Sequence, residues 1–328
     1  MRTLLIFGLL PQDSGKTTVA SALCRGLHEI GVKVKPFKPR AGHNLWYQYD
    51  VYERCRREGR LYCEDIIKLR EASRCPLPYE LLNPIDALLS PLMARDFLEE
   101  GRGRELYLLE EDTYAHLVAE RYTIWDGALR HRIILNRHLS YRLLIDEDYL
   151  DRLRAEAVEV MEVDSLEEWM EKHRSLAPRA ISTCMRAVSK NCEVLIIEGY
   201  NDAASPTPEA GYDVVIGVSP GLAVFYDTSE YSKILEAYRG LGREPMGLRA
   251  GDVIPFLKPE GFVEIPPLRR SELGDYDRLS ERLSDLVEAA LRYLGFDSRG
   301  FALSLSSINL HRSMFRGQPG SDSWRSPR

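Results

Sequence analysis

Apolar and polar positions fall into distinct blocks along this chain. Leu4 to Phe7 form a short apolar run that enters a loop, GLLPQDSGKTT. VASALCRGLHEIG then repeats apolar residues at helical spacing and stops at Gly31. VKVKPFKP reads as a second strand. Residues 50–75 read as helical, with Val51, Cys55, Ile66, Ile67 and Leu69 on the apolar side. Residues 76–84 carry three prolines and read as a loop. Residues 87–100 read as a short helix stopped by Gly101.

A different rhythm occupies 114–139. AHLVAERYTIW and ALRHRIILNRHL flank Asp126-Gly127, the signature of a β-hairpin. Its partial alternation suggests an antiparallel excursion from a parallel sheet. Residues 146–173 read as acidic, helical and exposed. Helix, strand, strand and helix then follow over 177–189, 193–197, 212–218 and 229–241. Short strands at 246–248 and 262–265 and an amphipathic helix over 273–294 complete the pattern. The segment 299–328, rich in Ser, Arg and Gly, reads as a disordered tail. No internal repeat is seen. The expectation is an α/β fold: a doubly wound, mostly parallel sheet with a phosphate-binding loop, plus an inserted hairpin and helix. Residues 1–102 and 176–298 would form the main domain in two parts, and 103–175 the insertion.

Composition narrows the function. The net charge of −6 over 328 residues argues against a nucleic-acid surface. No run of about 18 apolar residues suggests a membrane span. The first residues are consumed by strand and loop, so a secretory signal is not expected. The six cysteines have no C-x-x-C pair or zinc spacing and read as reduced thiols of a cytoplasmic protein.

The chemistry starts at Asp13, Ser14, Gly15, Lys16, Thr17 and Thr18. Strand, loop, Gly-Lys-Thr and helix suit a loop whose N–H groups surround polyphosphate. Lys16 would reach the β/γ-phosphates and Thr17 would place its hydroxyl on Mg²⁺. The standard spacing asks for a glycine where Leu10 stands; the nearest one upstream is Gly8. A chance Gly-Lys-Thr at a strand–helix turn is the competing reading. Four further stretches carry polar groups a core does not need. Lys38 follows the second strand; Glu64 and Asp65 open a helix, where helix-dipole complementation is the plainer role. Glu198 closes an apolar strand before Gly199, the pattern of an acid beside Mg²⁺. Pro220-Gly221 turns after another strand.

The order of these blocks resembles dethiobiotin synthetase and its neighbours, including the cobyrinic acid a,c-diamide synthases. The resemblance rests on EDIIKLREASRCPLPYELLNPIDALLSPLMA, FKP at 37–39, IEG at 197–199, SPGLA at 219–223 and EIPPL at 264–268. It covers roughly 1–101 and 177–295. It implies a homodimeric, Mg²⁺- and ATP-dependent C–N ligase, with GTP as an alternative nucleotide. A carboxylate or carbamate would become a mixed phosphoric anhydride that an amine attacks. Lys16 would hold phosphate; Thr17, Asp65 and Glu198 would hold Mg²⁺; Lys38 would bind the activated group. Arg40, His43, Gly199 and Gly221 are candidates for contact with a small-molecule substrate.

The chain departs from that family at Leu9 to Gln12, where acidic or hydroxyl residues are usual, and at Tyr200-Asn201-Asp202, where a double glycine is usual. Pro11 stands where the related partitioning ATPases carry a signature lysine. The insertion carries His116, Arg121, Tyr122, Trp125, Arg130, His131, Arg132 and His138, and reads either as a cap over a substrate cleft or as a dimer or stability element. A regulatory or metallocentre-assembly NTPase acting on a protein partner is the rival to the ligase, and a nucleotide-binding protein without useful turnover is a second rival.

Overall fold

The computed structural model describes residues 1–137, 143–209 and 211–296. His138 and the tail read at 299–328 lie outside the described residues. In chain order the first elements are β1 (Arg2–Gly8), α1 (Lys16–Glu29), β2 (Val34–Phe37), β3 (Arg40–Asn44), α2 (Tyr49–Glu58) and α3 (Glu64–Ala72). Next come α4 (Tyr79–Leu82), β4 (Ile85–Leu89), α5 (Ala94–Glu99), α6 (Gly103–Glu110), β5 (Leu117–Trp125) and β6 (Leu129–Asn136). The chain continues through α7 (Glu147–Glu156), β7 (Glu159–Val163), α8 (Leu166–Val188), β8 (Val194–Glu198), β9 (Val214–Ser219) and β10 (Leu222–Tyr226). It closes with α9 (Thr228–Gly240), α10 (Ala250–Val253), β11 (Pro259–Glu264), α11 (Arg270–Leu273), α12 (Tyr276–Arg282) and α13 (Ser284–Tyr293).

The fold is α/β with two mixed sheets. The first has six strands in the order β11-β10-β9-β1-β8-β2. Its inner part is parallel: β1 lies between β8 and β9, and β2 pairs with β8. These strands are buried along nearly their whole length, which explains their unbroken apolar runs. The second sheet has five strands in the order β3-β4-β5-β6-β7. Helix α1 is buried on most sides because β1, β8 and β9 lie under it and α3, α12 and α13 pack on it. Gly26 admits that packing; a Cβ there would lie 2.6 Å from Val287 Cγ1. One apolar cluster runs through both sheets.

The hairpin forms where the Asp-Gly turn places it, with Gly127 at a φ of 104°. It is not a free excursion, because β5 also pairs with β4. That pairing crosses the expected boundary at 102–103 and makes the hairpin part of a sheet begun by β3 and β4. Residues 85–89 are therefore a strand, not the start of a helix. Ala and Leu favour helix locally, but two neighbouring strands satisfy both edges of this segment. The expected helix over 146–173 is divided by β7, which pairs with β6. Residues 50–75 split into α2 and α3 at Gly59, whose φ of 65° closes the first helix. The stretch after Pro220-Gly221 continues as β10, antiparallel to β9, and β11 extends that edge. Residues 245–247 form a 3₁₀ turn rather than a strand, and the closing helix breaks into α11, α12 and α13.

Candidate functional site

A cleft of about 750 Å³ lies between the carboxyl ends of β1, β2 and β8 and the second sheet. Its floor starts at the β1–α1 loop. Gly15 takes the left-handed conformation at φ 87°, and no side chain caps α1. The first N–H groups of a helix have no partner within it, so this helix start offers donors and positive dipole to the cleft. Gly8 is tightly enclosed: a Cβ would lie 2.7 Å from Ser14 Oγ and 2.8 Å from the Asn201 carbonyl. The loop thus does require a glycine, two positions earlier than the usual spacing. Leu9 turns inward, where its Cδ2 would lie 2.6 Å from a Cβ at Gly217. It is a packing residue, which explains an apolar side chain there; Leu10 to Asp13 stay exposed.

Three elements converge on Lys38. Its Nζ lies 2.7 Å from Asp65 Oδ2 and 2.7 Å from Glu198 Oε1. Thr17 donates its hydroxyl to the same Glu198 oxygen at 2.8 Å. The backbone of Lys38 is pinned as well: its N–H donates to the Leu82 carbonyl at 2.8 Å, and Asn83 Nδ2 donates to its carbonyl at 2.9 Å. Leu82 and Asn83 therefore serve to fix Lys38 at the junction of the sheets. Lys16 lies beside them with Ser14 Oγ 3.2 Å from its Nζ.

Burial alone would depress the Lys38 ammonium, but Asp65 and Glu198 outweigh it and hold the group above the ordinary lysine value. Burial likewise works to raise Asp65, and the contact with Lys38 overcomes it, leaving Asp65 below the ordinary carboxylate range. Glu198 is raised because its burial is complete and Lys38 only partly offsets it. Lys16 is lowered by burial and by the neighbouring charge of Lys38. Glu198 Oε2 is buried without a hydrogen-bond partner. Thr17, Asp65 and Glu198 present hydroxyl and carboxylate oxygens, the donors a hard divalent cation takes. Among the described residues no group of three or more His, Cys, Asp or Glu is placed to hold a metal.

Asp13 to Thr18, Lys38, Asp65, Glu198 and Arg40 all line the cleft. His43 does not. Period-2 alternation turns it to the other side of β3 from Arg40, where it is buried with Nδ1 3.0 Å from Asp86 Oδ2. Gly199 does not line the cleft; a Cβ there would come within 2.9 Å of the Ala203 carbonyl. Gly221 sits at the tip of the β9–β10 turn and does not line the cleft. Alternation also separates the insertion's residues. Glu120 and Tyr122 lie on the Arg40 side of β5, while Arg121 and His131 line a separate 280 Å³ cavity on the other side. The insertion does reach the cleft, through Thr113, Tyr114, Leu117 and Trp169. Trp169, Tyr200 and Arg249 carry no motif and were not legible as cleft residues.

Among the described residues no helix is long and apolar enough to cross a membrane. All six cysteines are buried free thiols. No protein-family model matches the chain, and no curated protein matches it.

Proposed function

We propose that this chain is a Mg²⁺-dependent nucleoside-triphosphate enzyme that activates a small carboxylate or carbamate for attack by an amine. The observation that carries the reading is the Lys38 ammonium, held 2.7 Å from each of two carboxylates in a cleft that begins at an uncapped helix start. A pure conformational switch has no need of a second buried lysine at that position.

In this reading the N–H groups and side chains of Asp13 to Thr18 receive the triphosphate, and Lys16 bears on its β- and γ-phosphates. A substrate carboxylate oxygen attacks the γ-phosphorus, and the bond to the β-bridging oxygen breaks, leaving an acyl phosphate and the nucleoside diphosphate. The amine nitrogen then attacks the acyl carbon, phosphate departs, and the nitrogen loses a proton to solvent. Lys38 orients the attacking carboxylate and offsets its charge, so rate comes from positioning and electrostatics. Thr17, Asp65 and Glu198 would hold Mg²⁺, which when bound would offset charge on the phosphate oxygens. ATP is the nucleotide implied by the resemblance, and GTP suits the same phosphate contacts.

Phosphate release with Mg²⁺–ATP or Mg²⁺–GTP tests the reading. Stimulation by a small acid together with an amine, abolished in Lys38→Ala, is the expected result. Slow turnover that no small molecule changes and only a protein partner raises would instead support an assembly NTPase.

A further inference from the structure

The cleft has a second end, built differently from the phosphate end. Ala87, Tyr114 and Leu117 form a small apolar cluster separate from the main core, with Leu89 and Trp169 packed against it. All five line the cleft. Trp169 also packs against the main core, but Ala87, Tyr114 and Leu117 stand apart from it, and an apolar wall facing a cavity suits the body of a ligand.

Arg40 stands at the edge of this wall. Its guanidinium lies 5.5 Å from the ring centres of both Trp169 and Tyr200. Its Nη2 is 3.0 Å from Glu120 Oε1, which is fully buried. Glu120 is itself held from behind: it accepts from Trp169 Nε1 at 2.8 Å and from the Tyr122 hydroxyl. His173 Nδ1 lies 2.7 Å from that hydroxyl. Among the described residues Glu120 is the only carboxylate within salt-bridge distance of Arg40. A guanidinium has five N–H donors, and one nitrogen meets Glu120. The remaining donors of a planar group, clamped by two rings and a buried carboxylate, match the fork of a second carboxylate.

We infer that the substrate carries, besides the carboxylate or carbamate that Lys38 orients at the phosphate end, an apolar body laid on the Ala87–Leu89–Tyr114–Leu117–Trp169 wall and a second carboxylate gripped by Arg40. Arg40 is the specificity-determining residue and Glu120 the positioning residue behind it. The inference rests on the proposed function for the group that Lys38 orients, but not for the binding of a carboxylate at Arg40.

Binding of benzoate, phenylacetate and 4-phenylbutyrate, each against its neutral amide, tests this by calorimetry on the full chain with and without Mg²⁺–ATP. The expected result is a preference of about tenfold or more for at least one acid over its amide, the size a charge-assisted fork supplies. Arg40→Gln alone strands the Glu120 charge and can unfold the chain, so Arg40→Gln with Glu120→Gln is the working variant. It should erase the preference, and Arg40→Lys should retain only part of it. Equal binding of acids and amides, no binding of any acid, or an undiminished preference in the double variant would overturn the inference. Acid preference without Mg²⁺–ATP binding would overturn the nucleotide reading alone.

Discussion

Lys38 Nζ lies 2.7 Å from Glu198 Oε1, with side-chain exposures of 4 % and 0 %. The pair joins residues separated by 160 positions and ties the ends of β2 and β8 to one another.

Breaking this pair from one side should be costly. Lys38→Met leaves Glu198 buried beside Asp65 with no cation within salt-bridge distance, a change that typically costs about 3–5 kcal/mol. Urea denaturation should report a loss of that order. Lys38→Met with Glu198→Gln removes both charges and should recover much of it. A single variant as stable as the parent would contradict the geometry.

Two groups should shape the acid limb of stability. Burial works to raise Glu120, but Arg40 and the surrounding donors hold it down at about 2 against an ordinary 4.5. Burial pushes His131 down from 6.5 to about 4, and nearby Arg121 adds to the shift. Both folded values are depressed, so both contributions are complete above the unfolded values. As pH falls, the His131 contribution is lost from 6.5 to about 4, and that of Glu120 from 4.5 to about 2. Each group makes the slope at most about 1.4 kcal/mol per pH unit. Denaturation midpoints measured from pH 7 to 3 should flatten between 6.5 and 4 in His131→Gln.

The loop geometry predicts a strict need for glycine at two positions. Gly8→Ala would press its Cβ to within 3.0 Å of Ser14 Oγ, Asn201 O and Leu10 O. Gly15→Ala meets only Val218 Cγ1, at an ordinary 3.9 Å, but must hold φ 87°, at a strain of about 1–2 kcal/mol. We expect Gly8→Ala to displace the loop and weaken nucleotide binding by more than Gly15→Ala does, with circular dichroism of both unchanged. Equal affinity of Gly8→Ala and parent for Mg²⁺–ATP would count against the proposed site.

Arg121 should be a stability residue with no part in the cleft. It donates to the carbonyls of Leu61, Pro84 and Asn83 while 2 % exposed. Arg121→Met strands several buried acceptors, each worth about 1–3 kcal/mol. Thermal unfolding should fall steeply. At temperatures where the variant remains folded, Mg²⁺–ATP affinity should match the parent.

How far the sequence could be read differs from element to element. The hairpin was legible because Asp126-Gly127 and the flanking alternation act within a few residues. Strand β1 and helix α1 were legible for the same reason. Strand β3, RAGHN, has little β-propensity of its own; it is a strand because β4 pairs with it. Strand β4 carries helix-forming Ala and Leu and is held extended by β3 and β5. Of the two substrate candidates beside Lys38, only the strand's alternation separates Arg40 from His43, and nothing in the sequence marks this segment as a strand.

The sequence by itself determined the local parts: an apolar first strand, a glycine-bearing loop with Lys16 and Thr17, and carboxylates at 65 and 198. Short-range sterics and the two periodicities decide such features, so they are written in consecutive residues. The tertiary structure decided that Lys38 sits between those carboxylates, that the insertion joins a second sheet, and that Trp169 on α8 meets Arg40 on β3. These depend on strand pairing and burial between distant segments, where the gain comes from the partner each segment finds and not from its own residues.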